Sequence, residues 1–111
     1  MRGRHAHKKT EQILYCASGK VEMRTSRDGK HWKIRKMHAG MWDIHPAVEW
    51  LEMFIQAPDT VILSFCNQKH DESDYIKDFE KFKKIAGPYW KQRKLKEAKE
   101  RFQQQKDDKQ T

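Results

Sequence analysis

A chain of 111 residues with two cysteines and a formal charge of +8 has room for one folded domain and excludes a disulfide-stapled scaffold. Hydrophobic and charged residues each make up 36% of it, so the core is small but the chain is not disordered, and twelve aromatics carry much of what can be buried. No run approaches the ~20 apolar residues of a membrane span and no apolar signal segment opens the chain, which predicts an intracellular setting, cytoplasm or nucleus.

The charge is segregated. Residues 1–37 carry eleven Lys/Arg against three Asp/Glu, residues 38–75 one against seven, and residues 76–111 twelve against six. Two basic blocks flank an acidic one, and clustered positive charge attracts phosphate backbones.

In chain order, residues 1–10 (MRGRHAHKKT) lack apolar periodicity and read as a flexible basic arm; His5 and His7 alternate, but two ligands do not make a metal site. Residues 12–18 read as a strand ended by Gly19. Residues 20–37 follow as a two-stranded hairpin about an Asp28-Gly29 turn, giving a three-stranded meander. A tight turn there puts Trp32 and Ile34 inward. Arg24, Lys33 and Arg35 then face outward together, joined near the turn by Arg27 and Lys30.

Pro46 suits the first turn of a helix, and Ala47, Trp50, Leu51, Phe54 and Ile55 recur at helical spacing to about residue 56. Residues 60–66 (TVILSFC) predict a strand buried on both faces and paired with the first one. The acidic run from Asp71 to Asp74 caps a second helix striped by Tyr75, Ile76, Phe79, Phe82, Ile85 and Ala86, which Gly87-Pro88 ends. A basic last helix spans residues 89–105, with a frayed tail at 106–111.

These elements predict an α+β fold with strand and helix order β-β-β-α-β-α-α. An antiparallel sheet of three to four strands carries helices on one face. The organisation read is an arm (1–10), a domain (11–88), a basic helix (89–105) and the tail. The function read is a nucleic-acid-binding accessory or regulatory protein, more a binder than an enzyme. Phosphates would meet Arg24, Arg27, Lys30, Lys33 and Arg35 on the hairpin and Lys91, Arg93 and Lys94 on the last helix. Two alternatives are an inhibitor or adaptor bound to a larger nucleic-acid machine, and a small ribonuclease using His31, His38, His45 or His70. Cys66 and His70, with Cys16 and His38 or His45, give a weak zinc pattern because paired short spacings are missing. No cofactor is expected, and neither oligomeric state nor DNA against RNA is legible.

Overall fold

The computed structural model describes residues 2–109, and it replaces the expected α+β layout with a two-sheet antiparallel β sandwich carrying one C-terminal helix. The strands are β1 (Arg2–His7), β2 (Gln12–Ser18), β3 (Lys20–Ser26), β4 (Trp32–His38), β5 (Trp42–His45), β6 (Trp50–Ile55), β7 (Val61–Cys66) and β8 (Tyr75–Ile76). Helix α1 (Phe79–Lys109) follows. One sheet has five strands in the order β4-β3-β6-β1-β8, the other three in the order β5-β2-β7. Leu14, Cys16, Val21, Met23, Met37 and Leu51 fill the space between the sheets. A second core, with Ala6, Trp50, Ile76, Phe82 and Ala86, lies beneath the first turns of α1.

The strand at 12–18, the hairpin and the pairing of residues 60–66 with the first strand are all present. The meander is not, because β2 belongs to the other sheet and pairs with β5 and β7. The expected arm is strand β1, held between β6 and β8.

The expected helix at 46–56 is strand β6, in the middle of the larger sheet. Its Leu51 and Met53 face the inter-sheet core while Trp50 faces α1, so Glu52 alone interrupts an otherwise apolar run. Covered on both sides, such a strand shows no polar stripe and mimics a buried helix. Of the predicted helix from residue 71 to Gly87, the start is a 3-10 turn at Glu72–Asp74 capped by Asp71, Tyr75-Ile76 is strand β8, and only the part from Phe79 is helical, as the beginning of α1. The cap of α1 is instead Asp78, whose Oδ1 accepts from the N–H groups of Glu80 and Lys81 at 2.9 and 3.2 Å.

Helix α1 runs through Gly87 and Pro88 without ending. Phe82 and Ala86 are buried before the proline, and the Trp90 indole N–H donates to the Val48 carbonyl at 2.7 Å just after it. Tertiary anchoring on both sides outweighs the one backbone hydrogen bond a proline removes. From Lys91 to Gln105 every residue is exposed, so the helix projects; Gln110 and Thr111, the end of the expected frayed tail, lie outside the described residues. No helix among the described residues is long and apolar enough to cross a membrane.

Gly19 sits at φ +81°, and a Cβ there would land on Thr60. Thr60 is fixed in turn, its hydroxyl donating toward the Ala57 carbonyl at 2.7 Å and accepting from the Lys20 N–H at 3.1 Å. Gly19→Ala combines a left-handed backbone with a clash against a held neighbour, and it should cost roughly 3 kcal/mol or more. Urea unfolding monitored by circular dichroism checks this; a loss under about 1 kcal/mol would mean that the two strand ends part freely.

Candidate active site

The space between the sheets widens into a cavity of about 390 Å3, within the usual range of small-molecule sites. Leu14, Leu51, Met53, Ile55 and Ile62 make most of the wall, and Arg2, His5, Gln12, Thr60 and Ser64 supply the polar groups.

Arg2 and His5 both reach this cavity only because β1 is irregular. Arg2 pairs with Met53 and His5 with Leu51, so Gly3 and Arg4 together stand opposite the single residue Glu52. Gly3 has φ +87° and Arg4 φ +54°, the left-handed backbone of a β-bulge. In a regular strand, residues three apart point to opposite faces. The extra residue restores both to the inner face. The bulge also places the Gly3 carbonyl 3.0 Å from His5 Nδ1. A carbonyl only accepts, so Nδ1 carries the proton and Nε2 of the neutral ring keeps its lone pair. Burial, helped by His7 and Lys77 and opposed by the Gly3 carbonyl, moves the His5 pKa below 6.5. His5 is therefore an uncharged base at neutral pH.

Behind it stands a second histidine in a polar chain. His7 Nδ1 lies 3.0 Å from Asp74 Oδ2, which also accepts from the Thr10 hydroxyl at 2.5 Å, while Asp74 Oδ1 accepts from the Lys9 N–H at 2.8 Å. Burial pushes the Asp74 carboxyl up, but those donors outweigh it and hold the group below its ordinary value. An ionised Asp74 fixes the proton on His7 Nδ1, leaving His7 Nε2 buried and without a partner. Tyr75, paired with His7 across β8, packs its ring 4.5 Å from that of His7 and 5.1 Å from that of His5.

Of the residues expected to bind phosphate, Arg27, Lys33 and Arg35 line one small cavity together with the carboxylates of Asp43 and Glu49, and the others lie outside it. A two-residue turn at Asp28-Gly29 would set Met23 opposite Ile34; the observed loop spans 27–31 and sets Ser26 opposite Trp32 and Met23 opposite Arg35. That one-residue difference turns every β4 side chain over. Ile34 now shares the outer face with Arg24, while Lys33 and Arg35 lie on the other side. Trp32 is on the outer face too, stacked near Phe79 of α1. The longer loop is stabilised by Asp28, which accepts from the His31 N–H at 2.7 Å, from the His31 ring at 2.5 Å and from the Lys30 N–H at 2.8 Å, contacts that hold its carboxyl well below the usual range.

Moreover, the hairpin arginines are paired with carboxylates, two of them with residues of the acidic middle block. Arg27 pairs with Glu49 at 3.1 Å and lies over the Trp90 ring, Arg35 meets Asp43 at 3.6 Å, and Arg24 pairs with Glu22 at 2.7 Å above Phe54. Between Asp43 and Glu49 sits buried His45, its Nε2 3.2 Å from Asp43 and its Nδ1 3.4 Å from Glu49. The angles there fall short of aligned hydrogen bonds, so the contacts act as charge pairs. Lys30 and Lys33 are exposed near the turn; Lys91, Arg93 and Lys94 lie on the projecting part of α1, where Arg93 contacts Glu97 and Tyr89. Of the weak zinc pattern, Cys16 is buried in the inter-sheet core and Cys66 is exposed at the end of β7.

Comparison with known proteins corrects the nucleic-acid reading. The family model described as FdtA, WxcM-like, C-terminal, matches residues 1–87. A TDP-4-oxo-6-deoxy-alpha-D-glucose-3,4-oxoisomerase from Aneurinibacillus thermoaerophilus is 36% identical over 86 residues, 75% of this chain and 60% of that protein. Among solved structures, the sugar 3,4-ketoisomerase QdtA from Thermoanaerobacterium thermosaccharolyticum, in complex with TDP, is 29% identical with a TM-score of 0.74, covering 79% of this chain and 64% of that one. A 3,4-ketoisomerase from Helicobacter canadensis is 26% identical with a TM-score of 0.69, covering 77% and 64%. The chain thus spans about three fifths of the length of these relatives. They are sugar-modifying proteins, neither nucleic-acid regulators, inhibitors of nucleic-acid machines nor ribonucleases, and the reason for expecting a nuclear location goes with that reading.

Proposed function

We propose, for a chain that belongs to the FdtA (WxcM-like, C-terminal) family, that the inter-sheet cavity takes a TDP-linked 4-oxo-6-deoxy sugar and moves its oxo group from C4 to C3. The observation that carries the reading is His5, held in the cavity by the bulge with Nδ1 tied to the Gly3 carbonyl and Nε2 left as a base.

The chemistry asks for such a group. An oxo group at C4 acidifies the C3 hydrogen, because the carbanion left behind is shared with the carbonyl oxygen. His5 Nε2 removes that proton, the C3–H electron pair forms a C3=C4 double bond, and O4 takes up a proton to give an enediol. Collapse in the other sense loses the O3 proton, forms the C3 carbonyl and delivers a proton to C4. One C–H bond breaks and another forms, with no net oxidation, so no redox partner is consumed. General acid–base catalysis of this kind contributes typically ~10²- to 10⁴-fold for each positioned group.

The surroundings support the same reading. A mainly apolar wall lowers the local dielectric and keeps His5 neutral, and Arg2 brings a permanent cation to the cavity for a diphosphate. His7, oriented by Asp74 and lying with its ring centroid 5.1 Å from that of His5, supplies a second proton-carrying group near the first.

The decisive experiment incubates the chain with TDP-4-oxo-6-deoxyglucose in D2O and follows the sugar by NMR. Expected are a 3-oxo product and deuterium at C4, since the proton crosses a base that exchanges with solvent. Unchanged substrate with full retention of the C3 hydrogen would sink the proposal.

A further inference from the structure

One cluster of charge takes no part in the catalytic cavity. Strand β4 ends the five-stranded sheet and β5 ends the three-stranded one, and residues of both enclose a second cavity of about 100 Å3. It shares no lining residue with the first. Met23 lines the one, Leu14 and Leu51 line the other, and all three are buried in the same core cluster. Sites for drug-sized molecules run to ~300 Å3 and more, so this space admits neither a nucleotide nor a sugar and suits one small ion.

Its wall is charged and unbalanced. Arg27, Lys33, Arg35 and His45 stand against two carboxylates, Asp43 and Glu49. Burial would discharge His45, but the carboxylates on either side outweigh burial and keep the ring protonated at neutral pH. The excess of two positive charges excludes a divalent cation and attracts an anion. Donors remain to receive it. His45 is only 4% exposed, yet neither of its ring nitrogens has an aligned hydrogen-bond partner. A buried ionised donor left unmet is costly, and a ligand oxygen answers it. Arg27 commits its Nε to Glu49 and Arg35 meets Asp43 through one Nη, which leaves further N–H groups on each five-donor fork. Lys33 is exposed and has no carboxylate partner among the described residues.

We propose that this cavity binds one small oxyanion of two charges, inorganic phosphate or sulfate, between Lys33, the two arginine forks and the His45 ring. Every oxygen of such an ion accepts, and bonds between ionised partners are the strong ones. Asp43 and Glu49 do not close the site, because each is engaged with its arginine and holds that cation in place before the ion arrives. Lys33 and Arg35 come from β4 and His45 from β5, so the bound ion ties the edge of one sheet to the edge of the other.

Isothermal titration of the chain with phosphate, at an ionic strength held constant by sodium chloride, tests the inference. One phosphate should bind per chain with a Kd of about 1 mM or below. Lys33→Ala, an exposed change that leaves the core intact, should weaken binding about tenfold or more, the loss of one charge-assisted hydrogen bond. Arg2→Gln, which removes the cation of the catalytic cavity, should leave the affinity unchanged. In 15N NMR the His45 ring signals should move with the same midpoint as the heat. Absence of binding overturns the inference. So does an affinity that Arg2→Gln abolishes and Lys33→Ala spares, which would put the ion in the catalytic cavity, or a His45 ring that does not respond while heat is released, which would mean an adventitious ion only.

Discussion

His5→Gln should lower kcat for the 4-oxo sugar nucleotide by about 10²- to 10⁴-fold, the range for loss of a positioned general base, while KM stays within a few-fold. Glutamine keeps the length and a hydrogen-bonding group but has no lone pair basic enough to take a C3 proton. The pH profile separates this role from mere positioning. Only the neutral ring acts as base, so kcat/KM of the wild type should fall toward acid as His5 protonates. Burial places that fall below pH 6.5. In His5→Gln the acid limb should vanish along with the rate. Steady-state kinetics between pH 5 and 8, with circular dichroism to confirm folding, checks both. A variant with kcat within about threefold of wild type would remove His5 from the chemistry and with it the mechanism proposed for the cavity.

How much of this could be read from the residues alone is clearest at three places. The hairpin at 20–37 was legible because Asp28-Gly29 and period-two alternation are local signals, and its strands pair as expected. Its register was not. The loop is five residues long because Asp28 gathers the Lys30 and His31 amides, and that longer turn inverts β4 and separates Lys33 and Arg35 from Arg24. Strand β6 was misread for a different reason. Leu51 and Met53 are covered by the other sheet and Trp50 by α1, and with Glu52 as the one charged residue among 50–55 the strand has too little polar side to betray its period.

The site itself had one visible trace. Gly3 beside two alternating histidines is what a bulge looks like in sequence, since glycine inside a strand often marks one. Without a strand assignment for residues 2–7 there was nothing to interrupt, and the segment read as an arm. Asp74 and Tyr75 could not be joined to His7 at all. Nearly seventy residues separate them, and only the pairing of β8 with β1 brings them together. The segregated charge was read correctly as a pattern and wrongly as a surface, because the acidic block folds back onto the basic one through Glu49 and Asp43.

That folding back yields the largest expected effect on stability. Buried His45 lies between Asp43 and Glu49, with Arg35 and Arg27 on the far sides of those carboxylates. Burial alone would lower its pKa, but the two carboxylates outweigh burial and raise it to about 9. A group whose pKa rises on folding contributes stability fully below its unfolded value, near 6.5, and loses it as pH climbs through the folded value. Asp43 has the opposite sense. Burial raises its carboxyl, but His45 and Arg35 outweigh burial and hold it below its ordinary value, so its share is present above about pH 4. The network should therefore stabilise most between about pH 5 and 6.5 and weaken toward pH 9. His45→Leu removes the cation and leaves two partly buried carboxylates facing each other, a loss of about 3–5 kcal/mol for breaking a buried pair. For a chain of this length that is a fall in Tm of more than about 10 °C. Thermal melts of both proteins at pH 6 and pH 9.5 isolate the effect from every other titrating group, because only the wild type has His45 to lose. The gap in Tm should narrow by half or more at the higher pH. A gap that is the same at both values would mean that the leucine costs stability through packing alone, and that the charge on His45 holds nothing together.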